Sequence, residues 1–171
     1  MKTLYILSDS TAVGQFVTIH KTWPVLLSQH LEGRYIVQNV SRNGETSRQA
    51  LERLVPDVLR YEPDLVYIQY GSNDANEWET DRGYPRLFED EYNCNIQSMI
   101  ARCHRFGAEV IVGGSHTSWA YNNLFENNLF GFIHAFVDHS QYKGDYVMDD
   151  GIHLNEYGHQ LYFENIKNVI P

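Results

Sequence analysis

The sequence predicts an α/β domain in which helices cover both faces of a parallel sheet. Three observations carry that reading. Short apolar runs rich in Val, Ile, Leu and Tyr alternate along the chain with longer amphipathic stretches. No repeat, low-complexity tract or Pro/Gly/Ser-rich linker interrupts the alternation. A length of 171 residues, with 43% hydrophobic and 20% charged side chains, suits one compact domain whose core needs no staples.

The elements follow in order. Thr3–Leu7 reads as the first strand and Trp23–Leu31 as a helix; Tyr35–Val40 is the second strand. In Thr46–Arg60 the apolar residues Ala50, Leu51, Leu54, Val55, Val58 and Leu59 recur at helical spacing. Leu65–Tyr70 is the third strand, Phe88–Phe106 a helix and Glu109–Gly113 the fourth strand. Leu124–His139 reads as a helix, Tyr146–Met148 as a weaker fifth strand, and Glu156–Val169 as the closing helix. Parallel strands need crossovers, and right-handed crossovers arrange these elements as a doubly wound three-layer sandwich of about five strands. Ligands in such sheets bind beyond the carboxyl ends of the strands.

Charge narrows the partners. Thirteen Lys and Arg against 22 Asp and Glu leave a net charge of −9, which repels phosphate backbones and anionic lipid, so neither nucleic acid nor membrane is expected. No run approaches the 18 or so apolar residues of a membrane span. Cys94 and Cys103 lie in one helical stretch, roughly 13 Å apart by helical rise, too far for a disulfide. Reduced thiols and the absence of a signal-like leader point to the cytoplasm. Eight histidines invite a metal reading, but there is no His-Glu-x-x-His or Cys-x-x-Cys, and His153 and His159 are six apart. No metal or cofactor is expected.

Polar, Gly-punctuated turns follow the strands. The first strand runs into Ser8-Asp9-Ser10-Thr11, the second ends in Ser41-Arg42-Asn43-Gly44-Glu45, the third in Gly71-Ser72-Asn73-Asp74, and Asp149-Asp150-Gly151-Ile152-His153 precedes the last helix. Together these suit acyl transfer. Ser10 would be the nucleophile and His153 the base, with Asp150 orienting the imidazole. The N–H groups of Ser10 and Gly44 and the Asn73 amide would form the oxyanion hole. Each also has a plainer role open to it: helix capping for Ser10 and Asp150, turn formation for Gly44 and Asn73. Asp149 competes with Asp150, but the three-residue spacing lets Asp150 fold back onto the ring. His116, after the fourth strand, is a second functional histidine suited to substrate contact. Asn76, Trp78 and Arg82, after the third strand, are possible substrate-binding residues; for Trp78 and Arg82 a solvated face is as good a reading.

At these residues the chain resembles the SGNH hydrolases, also called the GDSL esterase/lipase family. The order Ser10, Gly44, Asn73, Asp150, His153 follows that family's four blocks, and Gly71-Ser72-Asn73-Asp74 and Asp150-Gly151-Ile152-His153 match two of them directly. Ser8 stands where the family's Gly-Asp-Ser block has glycine. The resemblance spans nearly all of residues 1–171. It implies a flavodoxin-like α/β/α sandwich, a metal-free serine mechanism and small-molecule ester substrates. The stretch Trp78–Arg86 is also similar to a segment of small members associated with surface glycans, which favours O-acetyl groups on a carbohydrate. Two other readings use the same fold: a flavin- or phosphate-binding module, with the hydroxyl-rich loop after the first strand as cradle, and a non-catalytic glycan-binding protein. Acyl transfer to an alcohol other than water would use the same residues.

Overall fold

The computed structural model describes residues 1–117, 132–140 and 144–171. Its sheet contains β1 (Lys2–Ser8), β2 (Tyr35–Asn39), β3 (Leu65–Gln69), β4 (Glu109–Gly113) and β5 (Ala135–Val137). They lie in the order β2-β1-β3-β4-β5, and every neighbouring pair is parallel. The helices among the described residues are α1 (Ser10–Val13), α2 (Trp23–His30), α3 (Ser47–Asp57), α4 (Glu89–Arg105) and α5 (Glu156–Lys167).

Strand alternation divides the core into two layers. Leu7, Val66, Ile68, Val110 and Val112 pack against Leu54 of α3 and Ile96, Met99 and Ile100 of α4. Leu4, Ile6, Leu65, Tyr67 and Ile111 face the other way, onto Trp23 and Leu27 of α2 and Tyr162 and Ile166 of α5. All five residues of β3 are buried, as a central strand covered on both sides requires. Because the strands are parallel, their carboxyl ends open onto one edge, and the loops beyond Ser8, Asn39, Gln69 and Gly113 meet there.

Three expectations need correction. The fifth strand is Ala135–Val137, not Tyr146–Met148: Gly144–Tyr146 is a 3₁₀ turn, and Val147 pairs antiparallel only with Leu154. Asn155 explains why, since its side-chain amide donates to the carbonyls of Asp145 and Val147 and folds that segment back on the start of α5. The helix expected over Leu124–His139 is replaced at 135–137 by this strand, and residues 124–131 lie outside the described residues. The helix expected to reach Arg60 stops at Asp57, because Pro56 lacks the N–H its last turn needs, and a 3₁₀ turn over Leu59–Tyr61 follows. Its start is well signalled: Thr46 and Gln49 cap each other reciprocally.

No helix among the described residues is long and apolar enough to cross a membrane. Both cysteines are free and sit on α4, Cys94 exposed and Cys103 buried, with burial pushing the Cys103 thiol up to about 12.

Helix α2 has no side-chain cap of its own from Thr22. Instead the Trp23 N–H donates across to Nδ1 of His159 on α5, at 3.2 Å. That bond requires an unprotonated Nδ1, and burial, with a smaller contribution from His116, lowers the His159 pKa to about 4. A histidine whose folded pKa is depressed stabilises the native state above its unfolded pKa. That contribution disappears as pH falls from about 6.5 towards 4, because the unfolded chain takes up the proton first. His159→Asn, which keeps an acceptor and does not titrate, should therefore flatten the fall in stability between pH 6.5 and 4 by up to about 3 kcal/mol. Urea unfolding of both proteins across that range checks it; parallel curves would show that His159 contributes nothing to the pH dependence.

Candidate active site

The turn from β1 into α1 places Asp9 and Ser10. Asp9 is fully buried and caps the helix, accepting the Thr11 N–H at 2.9 Å and the Thr11 hydroxyl on the same oxygen. Its other oxygen accepts from Nδ2 of Asn73 at 3.2 Å. Burial raises the Asp9 pKa, and the Thr11, Asn73 and His153 interactions oppose that rise. The Asp9 contact orients the Asn73 amide, so its second N–H is left for another acceptor. Ser10 is the first residue of α1, where backbone N–H groups have no helical partner. Ser8 keeps the strand running to the turn, and its main-chain carbonyl accepts the Arg42 N–H at 3.1 Å. Its hydroxyl is buried without a hydrogen-bond partner among the described residues.

Gly44 lies in the loop after β2 with φ of 69°, a conformation that favours glycine. Arg86 donates to the Gly44 carbonyl at 2.8 Å. Beneath it lies a buried ion pair. Glu45 receives both Nε and a terminal nitrogen of Arg53, and the Tyr70 hydroxyl donates to Glu45 Oε2 at 2.7 Å. Asp57 extends the network, accepting from Arg53 at 3.3 Å and Arg42 at 2.8 Å. Next to Asn73, the buried Asp74 accepts the backbone N–H of Ser47 at 3.0 Å and its hydroxyl at 2.5 Å, tying the loop after β3 to α3. Burial, with the nearby Asp9, pushes the Asp74 carboxyl up to about 6 against those hydrogen bonds.

The loop before α5 holds the remaining pair. Asp150 Oδ2 lies 2.7 Å from His153 Nδ1, and Asp150 Oδ1 accepts the backbone N–H groups of Ile152 at 2.8 Å and His153 at 2.9 Å. These contacts, the His153 imidazole first, lower the Asp150 pKa to about 2. The Phe16 ring stands edge-on to the His153 ring with centroids 5.4 Å apart. Phe16 itself is exposed and has a positive φ of 69°.

Ser10, Gly44, Asn73 and His153 line one cavity of about 580 Å³. Asn76 and His116 line it too. Trp78 lines an adjoining opening of about 440 Å³ that shares Asn76 and Glu77 with the first. Arg82 lines neither and closes a 3₁₀ turn over Glu79–Asp81. His116 is buried, with both ring nitrogens bonded to the protein, and forms part of the cavity wall. Sequence reasoning did not pick out Glu45, Arg53 or Phe16. For Arg53 there was a signal: it falls on the face of α3 that carries Ala50 and Leu54, a charge where the pattern calls for an apolar residue.

Residues 9–161 match the GDSL-like lipase/acylhydrolase family. The chain belongs to that family. It is a carboxylic ester hydrolase. An arylesterase of Vibrio mimicus is 30% identical over 165 residues, covering 88% of this chain and 78% of that protein. Thioesterase 1/protease 1/lysophospholipase L1 of Escherichia coli K12 is 26% identical over 161 residues, covering 90% and 76%. The crystal structure of the acetyl xylan esterase AlAXEase superposes with a TM-score of 0.82 at 16% identity, over 99% of this chain and all of that one. In this GDSL hydrolase the Glu45–Arg53 pair underlies the Gly44 turn, so Glu45→Ala leaves the buried guanidinium with only the longer Asp57 contact at 3.3 Å. The expected loss of stability is about 3–5 kcal/mol by urea unfolding, far above the cost of breaking an exposed pair. A loss below about 1 kcal/mol would mean the pair behaves as a solvated one.

Proposed function

We propose that this hydrolase cleaves small acyl esters through an acyl-enzyme on Ser10, with O-acetyl groups on a carbohydrate or similar small molecule as the substrate class. The observation that carries the reading is the Asp150–His153 contact at 2.7 Å in a loop whose histidine shares one cavity with Ser10, Gly44 and Asn73. Asp150, acidic enough to stay ionised, accepts the Nδ1 proton of His153, which leaves Nε2 unprotonated as the base. Ser10 Oγ attacks the ester carbonyl carbon while its proton passes to Nε2. The oxyanion takes hydrogen bonds from the backbone N–H groups of Ser10 and Gly44 and the second N–H of Asn73. Collapse of the intermediate expels the alcohol, which takes the proton from His153. Water, deprotonated by the same nitrogen, then attacks the acyl carbon and frees the acid and Ser10.

The cavity favours short acyl groups. Beside Asn73 its wall is Ser72, Thr117 and Ala75, and the Ser72 hydroxyl lies 2.5 Å from those of both Ser115 and Thr117. Among the described residues this stretch of wall presents hydroxyls rather than an apolar surface to a long chain. Trp78, about half exposed at the adjoining opening, offers a flat face suited to a sugar ring. A phosphate or flavin cradle at the same turn is disfavoured, because the Asp9 carboxylate already holds the Thr11 N–H that an anion would need. Two free thiols on one helix favour the cytoplasm as its location.

Ser10→Ala should abolish p-nitrophenyl acetate hydrolysis, lowering kcat by at least about 10³-fold while the far-ultraviolet circular dichroism stays unchanged. A folded Ser10→Ala protein with wild-type turnover would end the reading. Asn73→Ala should lower kcat about 10²–10³-fold with a smaller change in KM, the behaviour of an oxyanion donor. A change confined to KM would make Asn73 a ground-state contact instead.

A further inference from the structure

A row of buried polar side chains runs from the sheet to the loop that carries His153. His116, 4% exposed, follows β4, and its Nε2 lies 2.7 Å from the main-chain carbonyl of Ile152. A carbonyl only accepts, so Nε2 carries the proton. Burial lowers the His116 pKa and keeps the ring neutral, which makes Nδ1 an acceptor. The Tyr162 hydroxyl of α5, 2.7 Å away, therefore donates to it. Tyr162 in turn accepts from Nε2 of Gln69 at 3.3 Å, and Oε1 of Gln69 accepts from the Tyr67 hydroxyl at 2.9 Å. His139 Nε2, 3.1 Å from the Tyr67 oxygen, supplies the next proton, and the His139 ring stacks on Tyr162 with centroids 3.7 Å apart. Each bond has one direction, and together they deliver a single tautomer of His116.

The end of this row is what gives it a purpose. The Ile152 carbonyl and the His153 N–H belong to one peptide group. His116 grips its oxygen at 2.7 Å, while Asp150 Oδ1 grips its N–H at 2.9 Å. A planar peptide held at both ends has a fixed orientation. The Cα of His153 is part of that plane, so the grip also sets where the imidazole starts. We infer that His116, oriented by Tyr162, is a positioning residue that locks the peptide preceding His153 and thereby aims the base at Ser10. The inference rests on the proposed role of His153. It replaces substrate contact as the chief duty of His116.

The test compares His116→Asn with His116→Gln, using p-nitrophenyl acetate and temperatures well below either melting point. Gln can place an N–H donor where Nε2 stood; Asn reaches only the position of Nδ1. His116→Asn should lower kcat about 10–100-fold with KM within about twofold of wild type, and His116→Gln should recover most of that loss. Tyr162→Phe, which removes one hydroxyl and serves if His116→Asn fails to fold, should lower kcat about 3–10-fold at constant KM. Wild-type kcat in Tyr162→Phe and in a folded His116→Asn would overturn the inference. So would a loss confined to KM, or Gln performing no better than Asn. Ser10→Ala run in parallel separates the two layers: if it is active, the reading of the site fails, and if it is inactive while the His116 variants turn over normally, only the positioning role fails.

Discussion

A carboxylate removed from water at the end of β1 is the interaction on which the site depends. Asp9 is fully buried, and a buried charge survives only where donors surround it. The donors it recruits are the N–H and hydroxyl of Thr11 and the amide of Asn73. The first two start α1 and so place Ser10 at a helix N-terminus. The third pulls the loop after β3 towards the loop after β1 and decides which way the Asn73 amide faces. The same charge contributes to the raised pKa of Asp74, which in turn anchors the start of α3 through Ser47. One desolvated group thereby couples three loops that lie far apart in the sequence.

The same logic recurs twice at the sheet edge. Loops after parallel strands have no ladder to stiffen them, so their rigidity comes from buried polar contacts. The Glu45–Arg53–Tyr70 network underlies the Gly44 turn from the α3 side of the sheet. The His116–Tyr162–Gln69 row reaches the His153 loop from the α5 side. Both sets include a residue from β3 or directly after it, the strand buried on both faces. The strand buried on both faces is thus wired to both walls of the cavity.

Legibility in the sequence followed how local each signal was. Leu65–Tyr70 and Glu109–Gly113 stand out as apolar runs, and the helix from Thr46 as apolar residues at helical spacing. The four blocks that carry Ser10, Gly44, Asn73 and His153 lie in short stretches of chain, and the parallel sheet brings them to one edge. Strand β5 escaped because it is three residues long and His134 interrupts the apolar stretch Phe132–Val137, so the segment reads as the end of a longer helix. Composition does not separate Arg82 from Asn76, since the turn that leaves Asn76 on the cavity wall and Arg82 off it is set by contacts. The role inferred for His116 is hidden for a stronger reason: its partners, Ile152 and Tyr162, lie 36 and 46 residues further along the chain.

That distance also explains a division among the histidines. His116, His139 and His159 are buried, and desolvation lowers the pKa of each, so they serve as neutral donors and acceptors of fixed tautomer. His153 keeps 20% of its side chain exposed and opens on the cavity. The base proposed for the site must accept and return a proton at each turnover and needs that access, and its supports need the opposite. A support that titrated with the base would reverse the direction of its hydrogen bonds during the reaction. Placing the supports in the core, where burial suppresses their protonation, would let the loop around His153 keep one geometry through the proposed proton transfers.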